Sequence, residues 1–131
     1  MRTVKDIEAY LGRLNRQFHP VDGEAGTFLI SSGEQFPPVA LRVDPPLVVL
    51  RVHIGDVPSG EPTALFRKLL QLNSKSLVHS SYGIDGPRII LSAALELENL
   101  DFNELEATLD EIDMALAQQV PVLAGLNKKS A

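Results

Sequence analysis

Residues 47–54 of the chain read LVVLRVHI, and this stretch decides the fold class. The even-numbered positions are all apolar, whereas the odd-numbered positions are apolar at Leu47 and Val49 but polar at Arg51 and His53. Successive side chains of a β-strand point to opposite faces. The stretch therefore predicts a strand with one buried face and a second face that is only partly covered.

Upstream of this strand, the sequence predicts one helix and two further strands. The strands are expected at residues 27–31 and 39–43, because glycines and prolines interrupt the chain around each of them. The helix is expected to begin at Thr3 and Asp6, which resemble a capping box, and to end at His19-Pro20, since the residue before proline avoids the helical region. Its apolar stripe follows steps of three and four residues and comprises Val4, Ile7, Leu11, Leu14 and Phe18.

Downstream, a second helix is predicted from Glu61-Pro62, with proline in the first turn where its missing N–H costs nothing. A hairpin follows, with arms at 76–82 and 88–97. Asp101 is expected to cap a third helix, which Pro121 should end or kink by about Val120.

The predicted order is therefore α-βββ-α-ββ-α. Short turns join consecutive strands, so the strands should be mostly antiparallel with helices packed against the sheet, which is an α+β fold. Residues 1–126 are expected to form a single domain, and residues 127–131 a flexible C-terminal tail.

Composition excludes several classes of function. The chain is acidic, with 17 acidic and 12 basic residues and a net charge of −5, which argues against nucleic-acid binding. It has no cysteine, so disulfides and thiolate metal sites are excluded. No stretch approaches the ~20 apolar residues of a membrane span, and the N-terminus does not resemble a secretory signal. We expect a cytoplasmic protein that does not bind membranes.

No catalytic arrangement is apparent. The three histidines, His19, His53 and His79, are scattered, and the carboxylates of the last helix alternate with its apolar stripe and should face water. We therefore expect no metal, no cofactor and no enzymatic activity. The alternative is a small-ligand or enzymatic site on the polar sheet face, formed by Arg51 together with His53 and His79.

The element order resembles that of class I type III secretion chaperones and of YbjN-type domains. Three stretches carry the resemblance: LFRKLLQLN at 65–73, IILSAALEL at 89–97 and LDFNEL at 100–105. The resemblance implies a secretion-chaperone-like homodimer that captures an extended segment of a partner protein, with partner side chains in apolar grooves and in some cases an added strand at a sheet edge.

The sequence also contains more apolar positions than a one-sided sheet requires. Such positions either pack in a larger core or form a protein interface. We predict a partner-binding groove formed by Leu11, Leu14, Phe18, Leu47 and Val49. A weaker alternative is an accessory subunit whose acidic last helix docks on a basic partner.

Overall fold

The computed structural model of the protein describes residues 1–130, and for residues 127–130 only the backbone. Helices precede, separate and follow two groups of strands that belong to one sheet. In order these are α1 (Val4–Arg13), β1 (Phe18–Pro20), β2 (Thr27–Ile30), β3 (Val39–Asp44), β4 (Leu47–Asp56), α2 (Thr63–Lys75), β5 (Ser81–Asp85), β6 (Arg88–Glu96), α3 (Phe102–Met114), a π-helical segment (Ala115–Gln119) and α4 (Val120–Ser130).

The strands form a six-stranded antiparallel sheet in the order β1-β2-β3-β4-β6-β5. The predicted α+β class and antiparallel pairing are confirmed. One face of the sheet is covered by the helices and the other is open. The covered face is almost fully buried and includes Ile30, Leu41, Val48, Leu50, Val52 and Leu91.

The predicted extent of the first helix is wrong. Thr3 and Asp6 form the expected capping box, but α1 ends at Arg13. Asn15 then adopts a left-handed conformation with φ 57°, which asparagine tolerates better than most residues and which commonly terminates helices. Phe18 therefore lies at the start of β1, a strand that the sequence did not predict.

The first arm of the hairpin also begins later than predicted, because residues 76–80 form a loop before β5. The Glu111 carboxylate of α3 holds this loop. It accepts hydrogen bonds from the backbone amides of Val78 (2.6 Å), His79 (2.9 Å) and Ser80 (2.8 Å), and from the Ser80 hydroxyl (2.7 Å). Partial burial alone would raise the pKa of Glu111, but these hydrogen bonds outweigh it and lower the pKa below its ordinary value.

Tyr82 of β5 is the second point at which the edge of the sheet is fastened to the helices. The Asn73 side chain of α2 accepts from the Tyr82 amide (2.7 Å) and donates to its carbonyl (3.1 Å). The Tyr82 hydroxyl donates to Oε1 of Gln119 at 2.6 Å. Burial raises the pKa of the Tyr82 phenol, so this hydroxyl stays protonated at neutral pH.

Of the two outcomes expected at Pro121, an end or a kink of the third helix by about Val120, the end does not occur. Instead α3 passes into the π-helical segment, and α4 continues through Pro121 to Ser130. A π-helical turn shifts the hydrogen-bond ladder by one residue, which accommodates the ring and the missing N–H of proline. The backbone of residues 127–130 belongs to α4. Their side chains and Ala131 lie outside the described residues, so the predicted flexibility of 127–131 stays a prediction.

Replacement of Glu111 should destabilise the protein in a pH-dependent manner. We expect Glu111→Gln to lower the free energy of unfolding by about 2 kcal/mol at pH 7, because charged hydrogen bonds to three amides are lost. Since the folded pKa of Glu111 is lowered, its contribution is present above the pKa of the unfolded state and is lost as pH falls through the folded value. Urea unfolding of the natural chain and of Glu111→Gln at several pH values measures the difference in the free energy of unfolding.

The matched control is Glu106→Gln, which removes a carboxylate from the same helix. We expect it to change the free energy of unfolding by less than about 0.5 kcal/mol. If both substitutions have equal effects at pH 7, or if the deficit of Glu111→Gln persists unchanged at a pH where Glu111 is protonated, the stabilising role of the Glu111 carboxylate is refuted.

Candidate functional site

The structure does not gather the five predicted partner-binding residues into one groove. Leu11 is fully buried in the core, and Leu14 is half-buried and packs against it. Phe18 packs edge-on against Phe28 on the covered face, with ring centroids 6.1 Å apart. Leu47 and Val49 are half-buried on the open face of β4. Whether any of the five contacts a partner stays a prediction.

Phe18 does line a cleft of about 600 Å³ beside the β1 edge of the sheet. The cleft combines aromatic and aliphatic walls with polar groups at its rim, a mixture typical of sites that bind an extended peptide or a small molecule. Its lining residues are Arg16, Gln17, Phe18, His19, Leu29, Ile30, Ser31, Phe36 and Pro38.

The main chain of β1 offers hydrogen bonds next to this cleft. The Gln17 carbonyl accepts from the Ser31 amide just after β2, and the Val21 amide donates to the Thr27 carbonyl of β2. Because strand residues alternate, Phe18 and Pro20 direct their main-chain groups away from the sheet. Phe18 presents one amide and one carbonyl, and Pro20 presents a carbonyl without an amide. The edge therefore provides a short ladder with one donor and two acceptors.

Arg16 fixes one wall of the cleft to α3. Its side chain is 15% exposed and contacts the carboxylates of Asp110 at 3.2 Å and Asp113 at 2.7 Å. Two carboxylates on a largely buried guanidinium hold it more firmly than an exposed pair would. Part of the acidic surface predicted on the last helix is thus neutralised within the molecule.

The structure does not favour the alternative site at Arg51, His53 and His79. Arg51 and His79 line a shallow depression of about 420 Å³ on the open face, but His53 does not. Arg51 pairs with Asp85 at 3.0 Å, and Nε2 of His53 lies 3.1 Å from Asp56. Within residues 1–130, no group of three or more metal-ligating side chains converges.

Leu29 and Phe36 are two apolar cleft residues that the sequence did not predict. Phe36 lies in the proline-containing segment between the predicted strands 27–31 and 39–43, and Leu29 lies within the first of these strands. An aromatic residue among prolines and glycines, outside any periodic segment, was the available signal. Such a residue has no place in a helix stripe or a strand face, and it therefore belongs either to a loop core or to a site.

The family model CesT_Tir_1 matches residues 1–129, and no curated protein sequence matches the chain. Among solved structures, the chain resembles a chain of the heterodimeric ExoU–SpcU complex from the type III secretion system of Pseudomonas aeruginosa. The TM-score is 0.70 at 23% identity, covering 88% of this chain and 95% of that one.

Two further structures show the same fold. YbjN from E. coli matches with a TM-score of 0.63 at 12% identity, covering 88% of this chain and 89% of that one. The structure of the Yersinia pestis type III secretion chaperone SycH with a fragment of YscM2 matches with a TM-score of 0.60 at 16% identity, covering 92% and 99%.

These findings confirm the predicted resemblance and agree with the protein-binding character expected of the chain. In the described part of the structure, no helix has the length and apolar character needed to cross a bilayer. Because the family model spans residues 1–129, the chain belongs to the CesT_Tir_1 family of type III secretion chaperones.

Proposed function

We propose that this chain is a cytoplasmic, non-catalytic chaperone that holds an extended segment of an effector-type protein. The match of the chaperone family model to residues 1–129 carries this proposal. Structures of similar fold include the heterodimeric ExoU–SpcU complex of a type III secretion system and the HopA1–SchA chaperone–effector complex. On the open face, Arg51 pairs with Asp85 and His53 lies beside Asp56, so these side chains belong to two separate pairs and do not converge on one site. This arrangement supports binding without catalysis.

The cleft beside β1 is the proposed place of the captured segment. Its walls at Phe18, Leu29 and Phe36 suit apolar side chains of a partner. The outward amide and carbonyl of Phe18 suit a partner main chain in extended conformation, which forms hydrogen bonds as an added strand does. An unfolded segment satisfies both requirements at once, whereas a folded surface seldom presents a free strand.

Photo-crosslinking tests the position of the partner. A benzophenone amino acid replaces Phe36 in the cleft or, as a control, Ile84 in β5 at the opposite edge, in the full chain expressed in its native host. We expect a covalent adduct with the partner from position 36, and mass spectrometry should map it to one extended segment. Adducts from position 84 but not from 36 would refute the cleft as the binding site. Absence of any bound protein would refute the chaperone function.

Substitution in the cleft should weaken capture of the partner identified in this way. We expect Phe36→Glu to reduce affinity about tenfold to a hundredfold, because the cleft loses an aromatic contact and gains a charge that must be desolvated. Titration calorimetry with the mapped segment measures the change. Gln35→Glu adds the same charge to the neighbouring residue and should change affinity less than about threefold; equal losses would contradict a specific role of Phe36.

A homodimer is part of the proposed function. Leu70 on the outer face of α2 is 68% exposed, which is high for a leucine, and Phe66 beside it is half-buried. Polar and basic side chains surround them: Arg67, Gln71 and Lys75. An apolar centre with a polar rim is the usual composition of a protein interface.

Leu70→Glu should convert this dimer to a monomer. We expect light scattering to give twice the chain mass of 14.3 kDa for the natural sequence and one chain mass for the variant, because the interface would have to bury an unpaired charge. Gln118→Glu adds the same charge at an exposed position of the π-helical segment and should leave the dimer intact. A natural chain that stays monomeric at all concentrations would refute the homodimer and favour a one-to-one complex with the partner.

A further inference from the structure

β5 is the outer strand at the edge of the sheet opposite to β1. The outer strand of a sheet presents unpaired amides and carbonyls, which are a template for pairing with another strand. In β5 and the residue before it, these groups belong to alternate positions: Ser80, Tyr82 and Ile84. Proteins protect such edges with proline, lysine or very short strands, but the β5 sequence SYGID (81–85) contains neither proline nor lysine.

Two helix side chains occupy the outward groups of β5 instead. Asn73 bonds both the amide and the carbonyl of Tyr82, at 2.7 and 3.1 Å. Glu111 accepts from the Ser80 amide at 2.8 Å. A primary amide presents a donor and an acceptor side by side, as a strand residue does. Asn73 therefore takes the place that a residue of a seventh strand would take.

Ile84 is the position of β5 whose outward main-chain groups these helix side chains do not bond. Its main-chain groups share the direction of those of Tyr82, and within the described residues no side chain bonds them. The Ile84 side chain is 48% exposed. One free position supports a single pair of hydrogen bonds, whereas release of Tyr82 would create a continuous ladder over residues 82–84.

We propose that Asn73 blocks a latent strand-pairing site, and that the strand excluded from this site is β5 of a second copy of the chain. Two copies of β5 are self-complementary in antiparallel orientation, since a two-fold axis at Gly83 brings the amide and carbonyl of Tyr82 opposite the carbonyl and amide of Ile84 in the other copy. The same axis places the two Ile84 side chains diagonally across the strand pair, about 7–8 Å apart. This inference concerns an edge that the proposed capture of a partner does not use, and it does not depend on that function.

Crosslinking at position 84 tests the inference. Because the chain contains no cysteine, Ile84→Cys introduces a unique thiol, which a short bis-maleimide joins to a second copy only when two β5 edges meet. We expect Asn73→Ala to raise the yield of crosslinked dimer about tenfold in the Ile84→Cys background, because each freed main-chain group adds a hydrogen bond to the pairing. Equal yields with and without the Asn73→Ala substitution would overturn the proposal.

The matched control is Asn103→Ala in the same Ile84→Cys background. It makes the same side-chain change at an exposed position of α3, and it should leave the crosslink yield unchanged. An equal rise with this control would overturn the role of Asn73. Asn73→Asp retains the acceptor for the Tyr82 amide but not the donor to its carbonyl, so we expect an intermediate yield. This variant also tests the proposal if Asn73→Ala does not fold by circular dichroism.

Amide exchange separates strand pairing from simple loosening of the edge. In Asn73→Ala, the Tyr82 amide should exchange faster than in the natural chain when dilute and should slow again as protein concentration rises. Exchange that stays fast at every concentration would overturn strand pairing. Crosslinking of the partner at Phe36 is a separate readout, so failure of the β5 inference and failure of the chaperone function are distinguishable.

Discussion

The fold depends on the pairing of β4 with β6. These strands are antiparallel from Leu47↔Glu96 to Asp56↔Arg88, with a bulge between His53 and Gly55. Since β6 lies between β4 and β5, the strand that leaves α2 is displaced to the edge of the sheet. The strands upstream of β4 then extend the sheet in the opposite direction, towards β1. The positions of the covered face, the open face and both edges follow from this one insertion.

The two edges satisfy their main-chain groups in different ways because their surroundings differ. At Tyr82 the β5 edge lies against α2, where water has restricted access and an unpaired polar group would cost about 1–3 kcal/mol. Side chains of the helical layer, Asn73, Glu111 and Gln119, bond to Tyr82 or to the loop before it. The β1 edge is exposed, so water can bond Phe18 there. A partner main chain that replaces this water forms equivalent hydrogen bonds, so little free energy is lost. The side chains of the partner also gain contacts with the apolar walls of the cleft.

Local chemistry predicted the parts of the fold that local chemistry determines: the Thr3 cap, the Asp101 cap and the alternation along β4. It did not predict the end of α1, because the left-handed Asn15 interrupts a three-four spacing that nevertheless continues to Phe18. It did not predict the start of β5, since the loop at residues 76–80 before this strand depends on Glu111, which is remote in sequence. Of the residues that line the cleft beside β1, the predicted set included Phe18 but not Phe36, and the spacing of Leu11 did not show that this residue is buried in the core.

One turn of α3 contributes to both edges of the sheet. Asp110 and Asp113 are three residues apart and share a helix face, so both reach Arg16 beside the β1 cleft. Glu111 is rotated by about 100° from Asp110 and points instead to the loop before β5. The acidic character of the last helix therefore does more than confer solubility. Because a single helical turn positions the wall of the open cleft and the approach to the closed edge, the spacing between these two surfaces is set by the rigid geometry of the helix.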